Sequence, residues 1–138
     1  MQIHESDLFD VLTGWPIKPS STLTPLVGGT NNRAWLVEAE DGASYVLRLV
    51  TGMAADLSRV YYEAALLAAL HDIALPFHLP LPLRTRAGDI LMFIEQADSA
   101  ESAIATLTPF LPGHIPARTI ENSAHAGAAL AQLDAALA

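Results

Sequence analysis

The feature that most constrains this chain is a change of hydrophobic period part-way along it. Thr22 to Val27, Arg33 to Ala39 and Ser44 to Val50 are short runs of strand-forming residues bounded by turn signals, and read as three strands. Between them stand Gly28-Gly29-Thr30-Asn31-Asn32 and Glu40-Asp41-Gly42, connections short enough to reverse the chain. From Asp56 to Asp72 the period becomes helical, with Leu57, Val60, Tyr61, Ala64, Leu67, Ala68 and His71 recurring at three and four. Three strands joined by tight turns can pair only as an antiparallel meander, and the amphipathic helix after them needs an apolar surface to cover. An α+β fold follows.

Further strands are expected around Leu81 to Thr85, at the sheet edge because Pro76, Pro80 and Pro82 exclude helix, then at Ile90 to Gln96 and Ser102 to Thr108. Pro109-Phe110-Leu111-Pro112-Gly113 is too rigid to continue a strand. Beyond it Pro116 can open a helix, and Arg118 to Leu137 is alanine-rich, with Ile120, Leu130, Leu133 and Leu137 as its large apolar residues. A short helix at Asp7 to Leu12 ends at Gly14-Trp15-Pro16 and leads into a linker through Ser21. Four stretches result: residues 1–21, 22–108, 109–117 and 118–138.

Composition removes whole classes of function. At 138 residues the chain is one domain with enough length for a core. Seven Lys and Arg against fifteen Asp and Glu give a net charge of −8, the wrong sign for nucleic acid. Without cysteine there is no disulfide or thiolate chemistry, and the five His residues show no zinc spacing. The acidic N-terminus does not suit a secretory signal, and no apolar run approaches the ~20 residues of a membrane span. A cytoplasmic chain is expected. Apolar residues nonetheless reach 51% and charged residues only 16%, a balance that leaves room for apolar surface covered by a partner, and self-association through the C-terminal helix is expected.

Two residues stand out against their surroundings. Alternation puts Arg48 on the same strand face as Val46 and Val50, where a guanidinium either reaches water along the sheet edge or meets an anion. Glu63 shares a helical stripe with Val60, Leu67 and Leu70, and is either a solvated flank or the partner of a cation. A helix laid on the meander would let the two pair, which answers both oddities. The Gly28 to Asn32 turn is either a plain hairpin or, through its backbone N–H groups, a phosphate cradle.

Strand, glycine-rich turn, strand, VLRLV, a helix with a central Glu and strands running into PFLPG resemble the N-terminal lobe of the aminoglycoside phosphotransferase, choline kinase and homoserine kinase family, over Leu23 to the C-terminus. The resemblance implies a kinase-like lobe, a twisted sheet of about five antiparallel strands with one packed helix, followed by a hinge and the first helix of a larger lobe. It implies that Gly28, Gly29, Thr30, Asn31 and Asn32 lie over the phosphates of ATP, and that Arg48 contacts those phosphates where Lys is commoner in the family. Glu63 is then the acid that pairs with Arg48. The adenine edge falls to the hinge, where Pro109 has no N–H and the donors are Phe110 or Leu111.

The implied reaction is transfer of the ATP γ-phosphoryl group to a hydroxyl of a small-molecule substrate, with Mg²⁺. The family's His-x-Asp catalytic loop and later metal-binding Asp have no counterpart here, since none of His4, His71, His78, His114 and His125 is followed two residues on by Asp. No catalytic or metal-ligating residue is therefore assigned, and the chain is expected to be inactive by itself and to bind nucleotide poorly. The rival reading is a non-catalytic α+β binding or dimerisation module. The two readings differ in whether Arg48 and Glu63 meet.

Overall fold

The structure, a computed structural model, describes residues 4–27, 32–52, 54–95, 102–113 and 116–138. Its elements run α1 (Glu5–Leu12), β1 (Pro19–Leu26), β2 (Asn32–Ala39), β3 (Ser44–Gly52), α2 (Ala54–Ala69), β4 (Met92–Glu95), β5 (Ser102–Pro109) and α3 (Ile120–Leu137). The five strands form one sheet in the order β1-β2-β3-β5-β4, every neighbouring pair antiparallel. The β1-β2-β3 meander is therefore formed, and β5 inserts between β3 and the short edge strand β4. At the β2–β3 turn Gly42 has φ of +88°, a backbone conformation that L side chains rarely adopt. The Asp41 carboxylate there accepts the Ala43 N–H at 3.0 Å.

Because alternate side chains leave opposite faces, β3 and β5 serve two cores at once. Leu47 and Leu49 of β3 and Ala103, Ala105 and Leu107 of β5 join Leu8, Leu12, Trp15, Leu23, Trp35 and Val37 in the larger core, capped by α1. Ile104 faces the other way and packs with Leu57 and Ala64 of α2 and with Leu91. Helix α2 lies against β3 and β5 on that second side. Its Leu57 and Ala64 are buried while Tyr61, Tyr62 and Leu66 look outward.

Helix α1 is tied down by more than its apolar stripe. The His4 N–H donates to the Asp7 carboxylate at 3.0 Å, which satisfies one of the unpaired donors at the helix start. At the other end Trp15, fully buried, donates its indole N–H to the Leu83 carbonyl at 3.1 Å. The Arg86 N–H meets the Gly14 carbonyl at 2.7 Å, and its Nε meets the Thr13 carbonyl at 3.0 Å.

Several boundaries differ from the sequence expectation. No strand forms over residues 81–85. Pro80 and Pro82 have no N–H to give a ladder, and the segment is held instead by a Leu83 N–H bond to the Leu107 carbonyl at 2.7 Å and by the turn in which Thr85 N–H meets the Asp89 carbonyl. Strand β4 starts at Met92, after a bend at Ile90 and Leu91, and Gln96 lies outside the described residues. Strand β1 begins at Pro19, inside the expected linker. Pro116 does not open the last helix. Thr119 caps it, its hydroxyl accepting the Asn122 N–H at 3.1 Å, and Asn122 in turn donates to the Ala117 carbonyl at 2.8 Å.

Leu12 lies in the first core with none of its surface exposed. Leu12→Ala should therefore cost ~2–5 kcal/mol of folding stability by leaving a cavity under the sheet. Urea unfolding followed by tryptophan fluorescence measures it; a loss under ~1 kcal/mol would mean that α1 is not part of the cooperative core.

Candidate functional site

On the α2 side of the sheet, register sets the floor of a cleft. Leu26, Ala34, Arg48 and Thr106 stand opposite one another across β1, β2, β3 and β5, and Thr24, Leu36, Val46 and Thr108 form the next row. Of these residues Val46, Arg48, Thr106 and Thr108 line the cavity, which gives its floor one cation and two hydroxyls. Helix α2 makes one wall with Val60, Glu63, Ala64 and Leu67, and Pro80 and Pro82 make part of another. Pro109 at the end of β5 and Phe110 and Leu111 after it close one end, and the cleft has a volume of about 340 Å³.

Arg48 and Glu63 meet in this cleft. The Arg48 Nη1 donates to the Glu63 Oε1 at 3.2 Å, the side chains 34% and 50% exposed. Fifteen residues of chain separate them, so the contact exists only because α2 lies back along β3. The half-exposed setting means that water screens the pair and that it contributes little to folding. A guanidinium held in one place at the margin of an apolar cavity is suited to an anionic ligand, since its planar fork can engage an oxyanion with two N–H groups.

The backbone donors of Phe110 and Leu111 are not equivalent. The Phe110 N–H donates to the Ser44 carbonyl at 3.0 Å, continuing the β3–β5 ladder, whereas no partner of this kind engages Leu111 N–H among the described backbone bonds. Of the two donors expected from the sequence, Phe110 is thus committed to the sheet. The side chains of both residues are about two-fifths exposed and border the cavity.

Arg48, Glu63, Phe110 and Leu111 thus border one cavity. Gly28, Gly29, Thr30 and Asn31 lie outside the described residues, and Asn32 opens β2 opposite Val50. The sequence reading missed Ala64, Leu67, Pro80, Pro82, Thr106 and Thr108. Strand alternation carried across the β3–β5 pair would have found the threonines, because they share the face of Arg48 and Val46. Nothing in the sequence pointed to the two prolines, which reach the cleft through a loop. Among the described residues no group of three His, Asp or Glu could hold a metal ion, and Glu63 is occupied by Arg48.

A sequence profile of the phosphotransferase enzyme family matches residues 22–138, nearly the whole chain. The chain belongs to this family. Among solved structures it is similar to the amicoumacin kinase hAmiN, whose structure holds AMP-PNP, Ca²⁺ and the ligand designated Ami. The two superpose with a TM-score of 0.63 at 16% sequence identity, over 84% of this chain and 34% of the kinase. Family membership and this likeness agree on a kinase-like lobe, and the chain spans about a third of the length of the kinase it matches. No curated protein matches the sequence. Among the described residues, no helix is long and apolar enough to cross a membrane.

Because the Arg48–Glu63 pair is half exposed, Glu63→Gln should shift folding stability by no more than ~1 kcal/mol. Thermal and urea unfolding read the change. A loss of several kcal/mol would make the pair a structural brace and remove the reason to assign it to ligand binding.

Proposed function

We propose that this chain is the nucleotide-binding lobe of a small-molecule phosphotransferase, an enzyme that moves the γ-phosphoryl group of ATP to a hydroxyl of its substrate and releases ADP. The observation that carries the reading is the meeting of Arg48 and Glu63 at 3.2 Å inside a cavity bordered by Phe110 and Leu111. Helix and strand here do what a nucleotide lobe needs: the acid on α2 fixes the guanidinium of β3 at the edge of the cleft, where its positive charge faces an anionic ligand. The apolar surface of Val46, Val60 and Leu67 suits a purine face. Leu111 N–H is the donor available to the base edge, since Phe110 N–H is bonded to Ser44. Gly28 to Asn32 are assigned to cover the phosphates.

Mg²⁺ belongs to the complete reaction and offsets charge on the transferring group. Its ligands, the catalytic base and the acceptor contacts are not assigned to this chain, which has no His-x-Asp. We accordingly assign the 138-residue chain no turnover by itself and a weak affinity for nucleotide. The same reading puts the protein in the cytoplasm, where ATP is supplied. The rival, a non-catalytic binding module, predicts no reason for Arg48 and Glu63 to meet, and their contact favours the phosphotransferase lobe.

Titration of the chain with ATP, by calorimetry or by amide shifts, tests the proposal. Binding should be weaker than micromolar, and Arg48→Ala should weaken it by roughly tenfold or more through loss of charge-assisted bonds. Equal affinity in the Arg48→Ala variant, or ATP-dependent phosphorylation by the pure chain, would overturn it.

Self-association is a second part of the proposal, with another copy of the chain as the partner. Helix α3 has no buried residue, and its Ile120, Leu130 and Leu137 are 92%, 59% and 42% exposed. Sedimentation should show a concentration-dependent dimer that Leu130→Glu disrupts. A chain that stays monomeric at high concentration contradicts this part alone.

A further inference from the structure

The wall of the cleft formed by Pro80 and Pro82 is fixed from the far side of the sheet. Residues 80–83 alternate: Pro80 and Pro82 line the cavity with Arg48 and Glu63, whereas the Leu83 side chain packs on the core beneath α1. No ladder holds this segment, so its position depends on a few bonds. Leu83 makes two of them, donating its N–H to the Leu107 carbonyl at 2.7 Å and accepting the Trp15 indole N–H at 3.1 Å. Trp15 itself is fully buried among Leu8, Leu12, Leu47 and Leu107, so the indole has no freedom to let the carbonyl drift. Two more bonds from Arg86 to Thr13 and Gly14 fasten the end of α1 to the same stretch. Pro82 is bonded directly to Leu83 and has its φ fixed by its ring, so any displacement of the Leu83 backbone moves the cavity wall with it.

We infer that Trp15 is a positioning residue for the nucleotide cleft: its indole N–H holds the Leu83 carbonyl, and through it sets Pro80 and Pro82 against Arg48 and Glu63. The inference rests on the nucleotide reading of that cleft and adds an element outside the stretch that the family profile matches, which begins at residue 22. It gives α1 a role beyond covering apolar surface. The ring of Trp15 fills the core, and its single polar atom bonds the loop that carries Pro80 and Pro82 to the other face of the sheet.

The test compares two variants of the full 138-residue chain, with ATP as the probe. Trp15→Phe keeps an aromatic ring in the core and removes only the donor and part of the bulk. Leu12→Ala removes packing from the same core and leaves the indole bond in place. At a temperature where both are folded, Trp15→Phe should weaken ATP binding by about threefold or more and shift the amide resonances of Leu81 and Leu83. Leu12→Ala should lower the unfolding midpoint and leave the ATP dissociation constant unchanged. Equal affinities for wild type and Trp15→Phe, or an equal loss in both variants, would overturn the positioning role. In the wild-type chain the Trp15 indole resonance should also move on ATP addition while that of Trp35 stays in place, and this reading holds even if Trp15→Phe fails to fold. An unmoved Trp15 indole contradicts the inference. Arg48→Ala, run alongside, separates the two levels. If it has no effect, the nucleotide reading falls; if it weakens binding while Trp15→Phe does not, only the positioning role falls.

Discussion

The structure depends on the register of β3 between β2 and β5. That strand has paired neighbours on both sides and must satisfy two unlike faces, with Leu47 and Leu49 in the α1 core and Val46, Arg48 and Val50 toward α2. A slip by one residue would put the guanidinium of Arg48 among Leu8, Leu12 and Trp15, where an unpaired charge costs several kcal/mol, and would expose two leucines. The apolar alternation that fixes the register therefore also fixes where the cation stands. Folding energy and site geometry are set by the same pattern, although the Arg48–Glu63 pair itself, being half exposed, adds little to stability.

The two faces of the sheet carry different tasks. One is closed by α1 and holds most of the fully buried side chains. The other is covered by α2 over only part of its area, which leaves a cavity whose floor is Val46, Arg48, Thr106 and Thr108. A sheet packed on both faces along its whole length would have no room for a ligand. Here the gap lies where α2 gives way to the loop carrying Pro80 and Pro82, and that loop is braced by Trp15 through the Leu83 carbonyl.

Much of this arrangement was legible in the sequence because it rests on period. Strand-like runs between turn signals located β2 and β3 almost to the residue, the helical period located α2, and the apolar stripe around Glu63 together with the apolar face around Arg48 pointed to the pair before any distance was known. What escaped has physical causes. Residues 81–85 have strand-like side chains, but proline removes the donors that a ladder needs, and side-chain pattern does not report hydrogen bonds. The start of α3 is set by the Thr119 hydroxyl rather than by Pro116, two legitimate helix-start signals between which local sequence does not choose. The commitment of Phe110 N–H to Ser44 depends on where the β3–β5 ladder ends, a long-range fact.

On the proposed function a nucleotide lies with its base on the Val46 side of the cleft and its phosphates toward Arg48. The most direct measurement is the set of nuclear Overhauser contacts between adenine protons of ATP and the methyl groups of the isotope-labelled chain. Contacts are expected from adenine to Val46, Leu67 and Leu111. Contacts confined to the opposite side of α2, around Tyr61 and Phe93, would contradict it and place the ligand in a different groove.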